Sequence, residues 1–179
     1  MRMRRDDSIL LLIDIQEKLY PTISDGETLL AHCQWLADLA ARLAVPTILT
    51  EQYPAGLGPT LPALRDRCPA APVIEKMHFS AVVGGNLLPA CGSRRQFVVA
   101  GTEAHVCVLQ TVLDLIAPER EVFVVAEAVG SRRPEDRALA IERMRQAGAV
   151  IVSREMVAFE WLDRAGTDTF RTISREMIR

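Results

Sequence analysis

The chain has 179 residues, of which 49% are apolar and 25% charged, and this composition excludes disordered and low-complexity proteins. Its 21 basic and 23 acidic residues give a net charge of -2, without a long run of either sign that would attract nucleic acid or a membrane surface. We therefore expect a single domain over residues 1–179 whose partner is a small molecule or another copy of the chain.

The N-terminus resembles a signal peptide only superficially. Arginines precede the apolar run ILLLI (9–13), but this run is too short for a signal peptide or a membrane span, and Asp14 follows it. We therefore predict no membrane segment and a cytoplasmic protein. Reduced thiols are expected because no CxxC spacing links the four cysteines, Cys33, Cys68, Cys91 and Cys107.

Strand and helix patterns alternate along the chain. Short apolar runs, several of them apolar at successive positions as in strands buried on both faces, predict strands at 8–14, 45–51, 72–76, 96–101, 121–128 and 149–153. Apolar residues at three- and four-residue steps and helix-end signals predict helices at 26–43, 104–116 and 134–149, and Pro and Gly make 53–64 the loop-rich stretch. The alternation predicts an α/β fold with three α/β/α layers and a parallel sheet.

Charged residues end three of the predicted strands, where open parallel sheets bind their ligands, and these residues are Asp14, Glu51 and Lys76. Asp14 ends the first strand and Lys76 the third. The only lysines are Lys18 and Lys76, so a lysine at a buried strand end suggests a role that the wider guanidinium of arginine does not fill. Chance survival on the surface is the alternative, and it suits Lys18. Asp14 either caps the following turn or works in a site, and a nearby Lys76 favours the site because buried charges are usually paired.

Cys107 lies in the first turn of the helix after the fourth strand. The positive end of a helix dipole favours a thiolate, and a nucleophile at this edge would lie beside Asp14 and Lys76. A lone helix cysteine is more often core filler, as we expect for Cys33 on the apolar stripe of the first helix. For Cys107 we prefer the nucleophile and expect its thiol to be reactive below pH 8.

Three motifs together resemble a known family. "LLLIDIQ" with Asp14, "EKMHFSA" with Lys76 and "VAGTEAHVCV" with Cys107 are similar, in order and spacing, to the Asp–Lys–Cys triad of the isochorismatase-like cysteine hydrolases. "TEQYPAGLGPTLPAL", "VVAEAVGSRRPEDRALAIERMRQAGA" and "VSREMVAFEWLDRAGTDTFRTISR" extend the similarity to the YcaC-related subgroup. The resemblance implies a Rossmann-like domain with a six-stranded parallel sheet, and a homo-oligomer.

The resemblance also implies a covalent mechanism. Asp14 would take the proton of Cys107, Lys76 would hold the ion pair, and the thiolate would attack a carbonyl carbon to give a thioester that water hydrolyses. A cis peptide bond would join Thr102 to Glu103, and the backbone N–H groups of Glu103 and Cys107 would form the oxyanion hole.

Two departures from the family pattern narrow the expected chemistry. Nicotinamidases of this superfamily bind a metal through an Asp-x-His pair, and no such triplet occurs here, so we expect neither a metal nor another cofactor. Members that cleave isochorismate lack the nucleophilic cysteine. An amide or related C–N bond of a small molecule is therefore the expected substrate.

Four further residues are weaker candidates for substrate binding. Tyr20, Gln52 and Phe79 follow the ends of the first three strands, where they either line the substrate cavity or serve packing. His105 either contacts the substrate or lies at the surface at the start of its helix.

Two pairs near the C-terminal half allow contrasting interpretations. Arg132 and Arg133 form either an anion patch or a solvated helix start, and we favour the solvated start. Phe159 and Trp161 form an apolar face that covers either the domain's own core or a subunit interface. The oligomers typical of the resembled family favour the interface.

Two non-catalytic functions compete with hydrolysis. A low-pKa exposed thiol at Cys107 would also suit a redox sensor, although no resolving cysteine is evident nearby. An inactive scaffold is the other alternative, and it gives no reason for a buried ion pair between Asp14 and Lys76.

Overall fold

The computed structural model describes residues 1–178, so the predicted domain end at residue 179 lies just outside them. The strands are β1 (Ser8–Ile13), β2 (Thr47–Gln52), β3 (Val73–Lys76), β4 (Gln96–Thr102), β5 (Glu121–Gly130) and β6 (Val150–Val152). The α-helices are α1 (Gly26–Arg42), α2 (Pro54–Leu57), α3 (Pro62–Arg65), α4 (Leu87–Ala90), α5 (Leu109–Ile116), α6 (Pro134–Gln146), α7 (Arg154–Leu162) and α8 (Asp168–Ile173). Single turns of 3₁₀-helix at Arg5–Asp7 and Tyr20–Thr22 and of π-helix at Ala104–Val108 and Ser174–Ile178 complete the elements.

The six strands form one sheet in the order β3-β2-β1-β4-β5-β6, and every neighbouring pair is parallel. The predicted three-layer α/β/α fold with a six-stranded parallel sheet is therefore confirmed. The chain builds β1 to β3 outward in one direction and then returns to the other side of β1 to place β4. Open parallel sheets bind their ligands beyond the carboxyl ends of the strands at such a reversal, which here lies at β1 and β4.

Strand β1 shows why the sheet has helices on both faces. Leu10 and Leu12 point into the core cluster that also contains the buried residues of α1 and α7. Ile9, Leu11 and Ile13 point into the opposite cluster, which α5 and α6 cover. Since successive side chains of a strand alternate between faces, an unbroken apolar run requires a core on both sides.

The predicted helices are confirmed with one change. The helix at 26–43 is α1 and the helix at 134–149 is α6, but the helix at 104–116 starts as the π-helical turn Ala104–Val108 before it becomes α5. The stretch at 53–64, predicted as a loop, contains the one-turn helices α2 and α3, each with a proline at its first positions. Such short turns lack the periodicity that reveals a helix in a sequence.

Trp161 does not form a subunit interface, contrary to our expectation. Its side chain is buried in the core formed with α1, and its indole N–H donates to the Ser8 hydroxyl oxygen at 3.0 Å. Phe159, two positions earlier on α7, is half exposed and packs its ring against Phe170, with ring centroids 6.4 Å apart. The two aromatic residues therefore lie on different sides of the helix.

Gly101 lets β4 approach β1 directly beneath the candidate site, and we expect Gly101→Ala to prevent stable folding. A Cβ here would meet the Ile13 carbonyl oxygen and lie 2.6 Å from the Ile13 nitrogen, at a φ of +129° that side chains rarely adopt. The backbone of β1 would have to move, at a cost above about 3 kcal/mol of unfolding free energy. Urea denaturation of wild type and Gly101→Ala measures this loss of unfolding free energy.

Gly92→Ala is the matched control, because Gly92 also has a positive φ, +58°, but nothing lies within 4 Å of its added Cβ. We expect this control to lose only about 1–2 kcal/mol of unfolding free energy. Equal losses in the two variants would contradict the importance of the close approach.

The helices of residues 1–178 do not include one with the length and apolar character needed to cross a membrane.

Candidate active site

Asp14 lies beyond the carboxyl end of β1, next to β4. It follows β1 directly, its φ of +52° turns the chain, and it is fully buried. Aspartate tolerates this left-handed conformation better than most residues. The threonine that ends β4, Thr102, donates from its hydroxyl to the Asp14 carbonyl oxygen at 2.7 Å. The turn after β1 is therefore fixed by the neighbouring strand.

Lys76 and Asp14 form a buried ion pair. The Lys76 ammonium donates to Asp14 Oδ2 at 2.6 Å, and the side chains of the two residues are 3% and 0% exposed. It also donates to Gln52 Oε1 at 2.8 Å and to the Phe79 carbonyl oxygen at 3.0 Å. An ammonium has three donors, so its hydrogen-bonding capacity is used in full. The pairing of Asp14 with Lys76 agrees with the prediction from the strand ends.

The sequence did not reveal the partner of the second Asp14 oxygen. Thr50 donates from its hydroxyl to Asp14 Oδ1 at 2.6 Å. Thr50 and Gln52 are alternate residues of β2, so both side chains point to the same face and reach the ion pair together. The available signal was alternation along the predicted strand 45–51, continued by one residue, because it places Thr50 on the same face as Gln52.

Gln52 is held by a second buried amide. The Gln16 side chain accepts from the Gln52 backbone N–H at 2.8 Å and donates to the backbone oxygens of Gln52 and Gly58 at 3.0 and 2.7 Å. The Gln52 side chain donates in turn to the Met77 carbonyl oxygen at 2.9 Å. These bonds leave Gln52 Oε1 directed at Lys76, so Gln52 positions the ammonium.

Cys107 lies in the π-helical turn after β4 and is 5% exposed to solvent. The Glu103 carbonyl oxygen accepts from the N–H groups of both Val106 and Val108, which sets the wide turn. The Cys107 sulfur is close enough to Asp14 and Lys76 for the charges of both to act on the pKa of the thiol. The structure therefore brings the carboxylate, the ammonium and the thiol together.

The expectation that the Cys107 thiol reacts below pH 8 is contradicted by its surroundings, which raise its pKa. Burial raises the pKa of the Cys107 thiol first, the Asp14 charge raises it further, and Lys76 opposes these effects only in part. The short π-helical turn does not overcome the loss of solvation. At neutral pH the thiol therefore keeps its proton, and the Asp14 carboxylate lies beside it.

Glu103 follows β4, and the peptide bond from Thr102 to Glu103 is cis. Among residues 1–178 the backbone N–H of Glu103 donates to no protein acceptor. The Glu103 carboxylate is buried and accepts from Arg132 Nε at 2.5 Å. We favoured the interpretation that Arg132 belongs to a solvated helix start. This interpretation is incomplete, because the Arg132 guanidinium also binds the buried Glu103 carboxylate.

Two weaker candidates make their contacts away from the ion pair. His105 Nδ1 lies 3.0 Å from the Ser131 hydroxyl, on the side of α6. Tyr20 is partly buried and lies against Gly26 at the start of α1. Phe79 contributes its carbonyl oxygen to Lys76, while its ring is half exposed at the rim.

No group of three or more His, Cys, Asp or Glu side chains in residues 1–178 is arranged to hold a metal ion. The donor set of a metal-dependent nicotinamidase therefore does not fit the described part of the chain. The four cysteines are all free and buried.

Known proteins resemble this chain over most of its length. A model of the isochorismatase domain matches residues 8–156. Isochorismatase domain-containing protein 2 of Danio rerio is 35% identical over 176 residues, which is 97% of this chain and 88% of that protein.

Solved structures extend the similarity to the three-dimensional level. MAR1 ribonuclease from Caenorhabditis elegans has a TM-score of 0.94 and 33% identity, covering 100% of this chain and 93% of its own. YcaC from Escherichia coli, described as an octameric hydrolase of unknown specificity, has a TM-score of 0.89 and 30% identity over 99% and 91% of the two chains. YcaC from Pseudomonas aeruginosa, solved with hexane-2,5-diol and covalent acrylamide, has a TM-score of 0.89 and 28% identity over 99% and 92%.

Proposed function

Because the chain belongs to the isochorismatase domain family of hydrolases, we propose that it is a cysteine hydrolase that cleaves an amide or related C–N bond of a small molecule. The observation that carries this proposal is the buried Lys76–Asp14 ion pair, 2.6 Å long, beside the Cys107 thiol. A buried pair is costly to desolvate and adds little net stability, so a catalytic task gives it a purpose.

The first half of the reaction forms a thioester. Asp14 takes the proton of the Cys107 thiol while the sulfur attacks the carbonyl carbon of the substrate. The carbonyl electron pair moves to its oxygen, which accepts from the backbone N–H groups of Glu103 and Cys107. As the tetrahedral intermediate collapses, its C–N bond breaks, and Asp14 returns the proton to the departing amine.

Water then releases the acid. Asp14 takes a proton from the water molecule that attacks the thioester, and the C–S bond breaks. The proton returns to the sulfur, so Cys107 ends as the neutral thiol, in keeping with its raised pKa. Lys76 remains protonated throughout, and its bonds to Gln52 and the Phe79 carbonyl oxygen keep the carboxylate in position.

Two relatives lend support to parts of this proposal. The YcaC of Pseudomonas aeruginosa carries covalent acrylamide, a reagent that reacts with nucleophiles. The octameric YcaC of Escherichia coli supports a homo-oligomer of this chain. Trp161 would not belong to the subunit interface of such an oligomer, because it is buried in the core of the domain. A small-molecule substrate and a cytoplasmic location belong to the same proposal.

The redox-sensor alternative loses its main argument. A sensor thiol needs exposure and a low pKa. Cys107 is buried and its pKa is raised, and the other three cysteines are buried too.

A screen of small primary amides for ammonia release tests the proposal. We expect at least one amide to be hydrolysed, and we expect the mass of the peptide that contains Cys107 to increase by the acyl group after acid quenching. Because MAR1 of Caenorhabditis elegans is called a ribonuclease, single-stranded RNA belongs in the same screen. RNA cleavage without any amide hydrolysis or acyl adduct would contradict the proposal.

A further inference from the structure

Arg132 and Glu103 connect two loops at the edge of the proposed active site. Thr102, at the end of β4, pairs in register with Gly130, at the end of β5, so the segments that follow leave the sheet side by side. The Arg132 side chain donates to both carboxylate oxygens of Glu103. Its Nε lies 2.5 Å from Oε1, and its Nη2 lies 3.4 Å from Oε2. Two-point contacts of this kind fix the orientation of both side chains.

The two partners differ in their exposure to solvent. The Glu103 side chain is 9% exposed, whereas that of Arg132 is 58% exposed. An arginine so open to water adds little to the free energy of unfolding. The buried carboxylate, by contrast, has lost most of its hydration, and its remaining stabilisation comes from the guanidinium. The pair itself therefore adds little to the free energy of unfolding, but removing Arg132 leaves a buried charge without its partner.

The carboxylate of Glu103 is covalently tied to the N–H group that we propose as an oxyanion donor. A negative charge so close to a developing oxyanion opposes the reaction, and it does so most strongly where water is excluded. A cation on the carboxylate removes this penalty.

We infer that Arg132 is a positioning residue of this site, which neutralises the Glu103 carboxylate and holds it away from the oxyanion. The inference rests on the proposed function, since it requires an oxyanion at Glu103. It also gives a role to a surface arginine that touches neither the substrate nor the triad.

Acylation by p-nitrophenyl acetate tests the inference without knowledge of the natural substrate. The thiol displaces nitrophenol from the ester, the C–O bond breaks as the C–S bond forms, and the thiol proton passes to the leaving group. In Arg132→Ala we expect the limiting acylation rate to fall on the order of 10- to 100-fold. This fall is no larger than the decrease in rate that the removal of one oxyanion donor causes. The ester concentration at half saturation should change by less than about threefold, because ground-state binding is unaffected.

Charge compensation makes a prediction that a merely structural role does not. Removing the negative charge in Glu103→Gln/Arg132→Ala should restore the acylation rate to within about threefold of wild type. Arg132→Lys, which keeps the charge, should retain most of the rate, and dilute guanidinium chloride should rescue Arg132→Ala because the vacated position is open to solvent. Arg133→Ala, the exposed neighbour, is the matched control and should be unchanged.

The outcomes separate this inference from the proposed function. A wild-type protein that forms no acyl adduct on Cys107 overturns both. An acyl adduct that forms equally fast in Arg132→Ala overturns only the role of Arg132. A double variant that stays as slow as Arg132→Ala also overturns it, since the loss would then come from packing and not from charge.

Discussion

Replacing Cys107 by serine should lower the hydrolysis of a substrate amide by at least about 10⁴-fold, because the proposed nucleophile is lost. A serine hydroxyl is far less acidic and less nucleophilic than a thiol, and the site offers only the Asp14 carboxylate as base. The serine is close in size to the cysteine, so the buried turn Ala104–Val108 keeps its packing. Ammonia release gives the rate, and far-ultraviolet circular dichroism checks the fold.

Cys91→Ser is the matched control for this substitution. Cys91 is also buried, and it belongs to the same apolar cluster as Cys107. Its sulfur lies 3.0 Å from the Leu87 carbonyl oxygen, to which a serine hydroxyl can donate equally well. We expect this variant to hydrolyse amides at the wild-type rate. If Cys107→Ser kept more than a small percentage of activity, or if the acyl group were found on another residue, the nucleophile would have to be sought elsewhere.

The fold could be predicted because its central strands, β1 and β4, are buried on both faces. An unbroken apolar run as long as β1 requires a core on both sides, and Asp14 directly follows it. Lys76 instead ends the edge strand β3, in which Glu75 is exposed. The parallel arrangement then places the side chains of Asp14 and Lys76 at one edge of the sheet, whatever the order of the strands. Strand positions and the placement of both charges at one edge therefore follow from local patterns, whereas the contact between the two charges depends on the strand order.

The strand register and the electrostatics of the thiol could not be predicted in the same way. The bond from Thr50 to Asp14 and the contact between Gln16 and Gln52 depend on the alignment of β2 with β1. The raised pKa of the Cys107 thiol depends on how deeply the turn after β4 is buried. A helix start with a cysteine has the same sequence pattern whether the sulfur faces water or a core.

Asp14→Asn should slow hydrolysis and at the same time make the thiol easier to alkylate. Without the carboxylate no base takes the thiol proton, and we expect hydrolysis to fall on the order of 10²- to 10⁴-fold. The Asp14 charge raises the pKa of the Cys107 thiol, and Lys76 lowers it. Losing the charge therefore moves the pKa down, so a larger fraction of Cys107 is thiolate at pH 8.

Alkylation by iodoacetamide as a function of pH measures this shift. In wild type the midpoint of the rate should lie above that of an ordinary cysteine, since a raised pKa keeps the thiol protonated until higher pH. In Asp14→Asn the midpoint should move to lower pH. The midpoint is a better measure than the absolute rate, because burial slows the reagent in both proteins.

Stability has to be followed in the same experiment, because Asp14→Asn breaks a buried ion pair. Leaving Lys76 without its counterion lowers the free energy of unfolding by about 3–5 kcal/mol in comparable sites, so the melting temperature should fall. The assays should therefore be run well below the melting temperature of the variant. Asp136→Asn is the matched control: this carboxylate lies 3.9 Å from His105 and is not in the ion pair. It should change neither the midpoint nor the rate of hydrolysis. An unchanged or higher midpoint in Asp14→Asn, or hydrolysis within tenfold of wild type, would mean that Asp14 is not the base acting on Cys107.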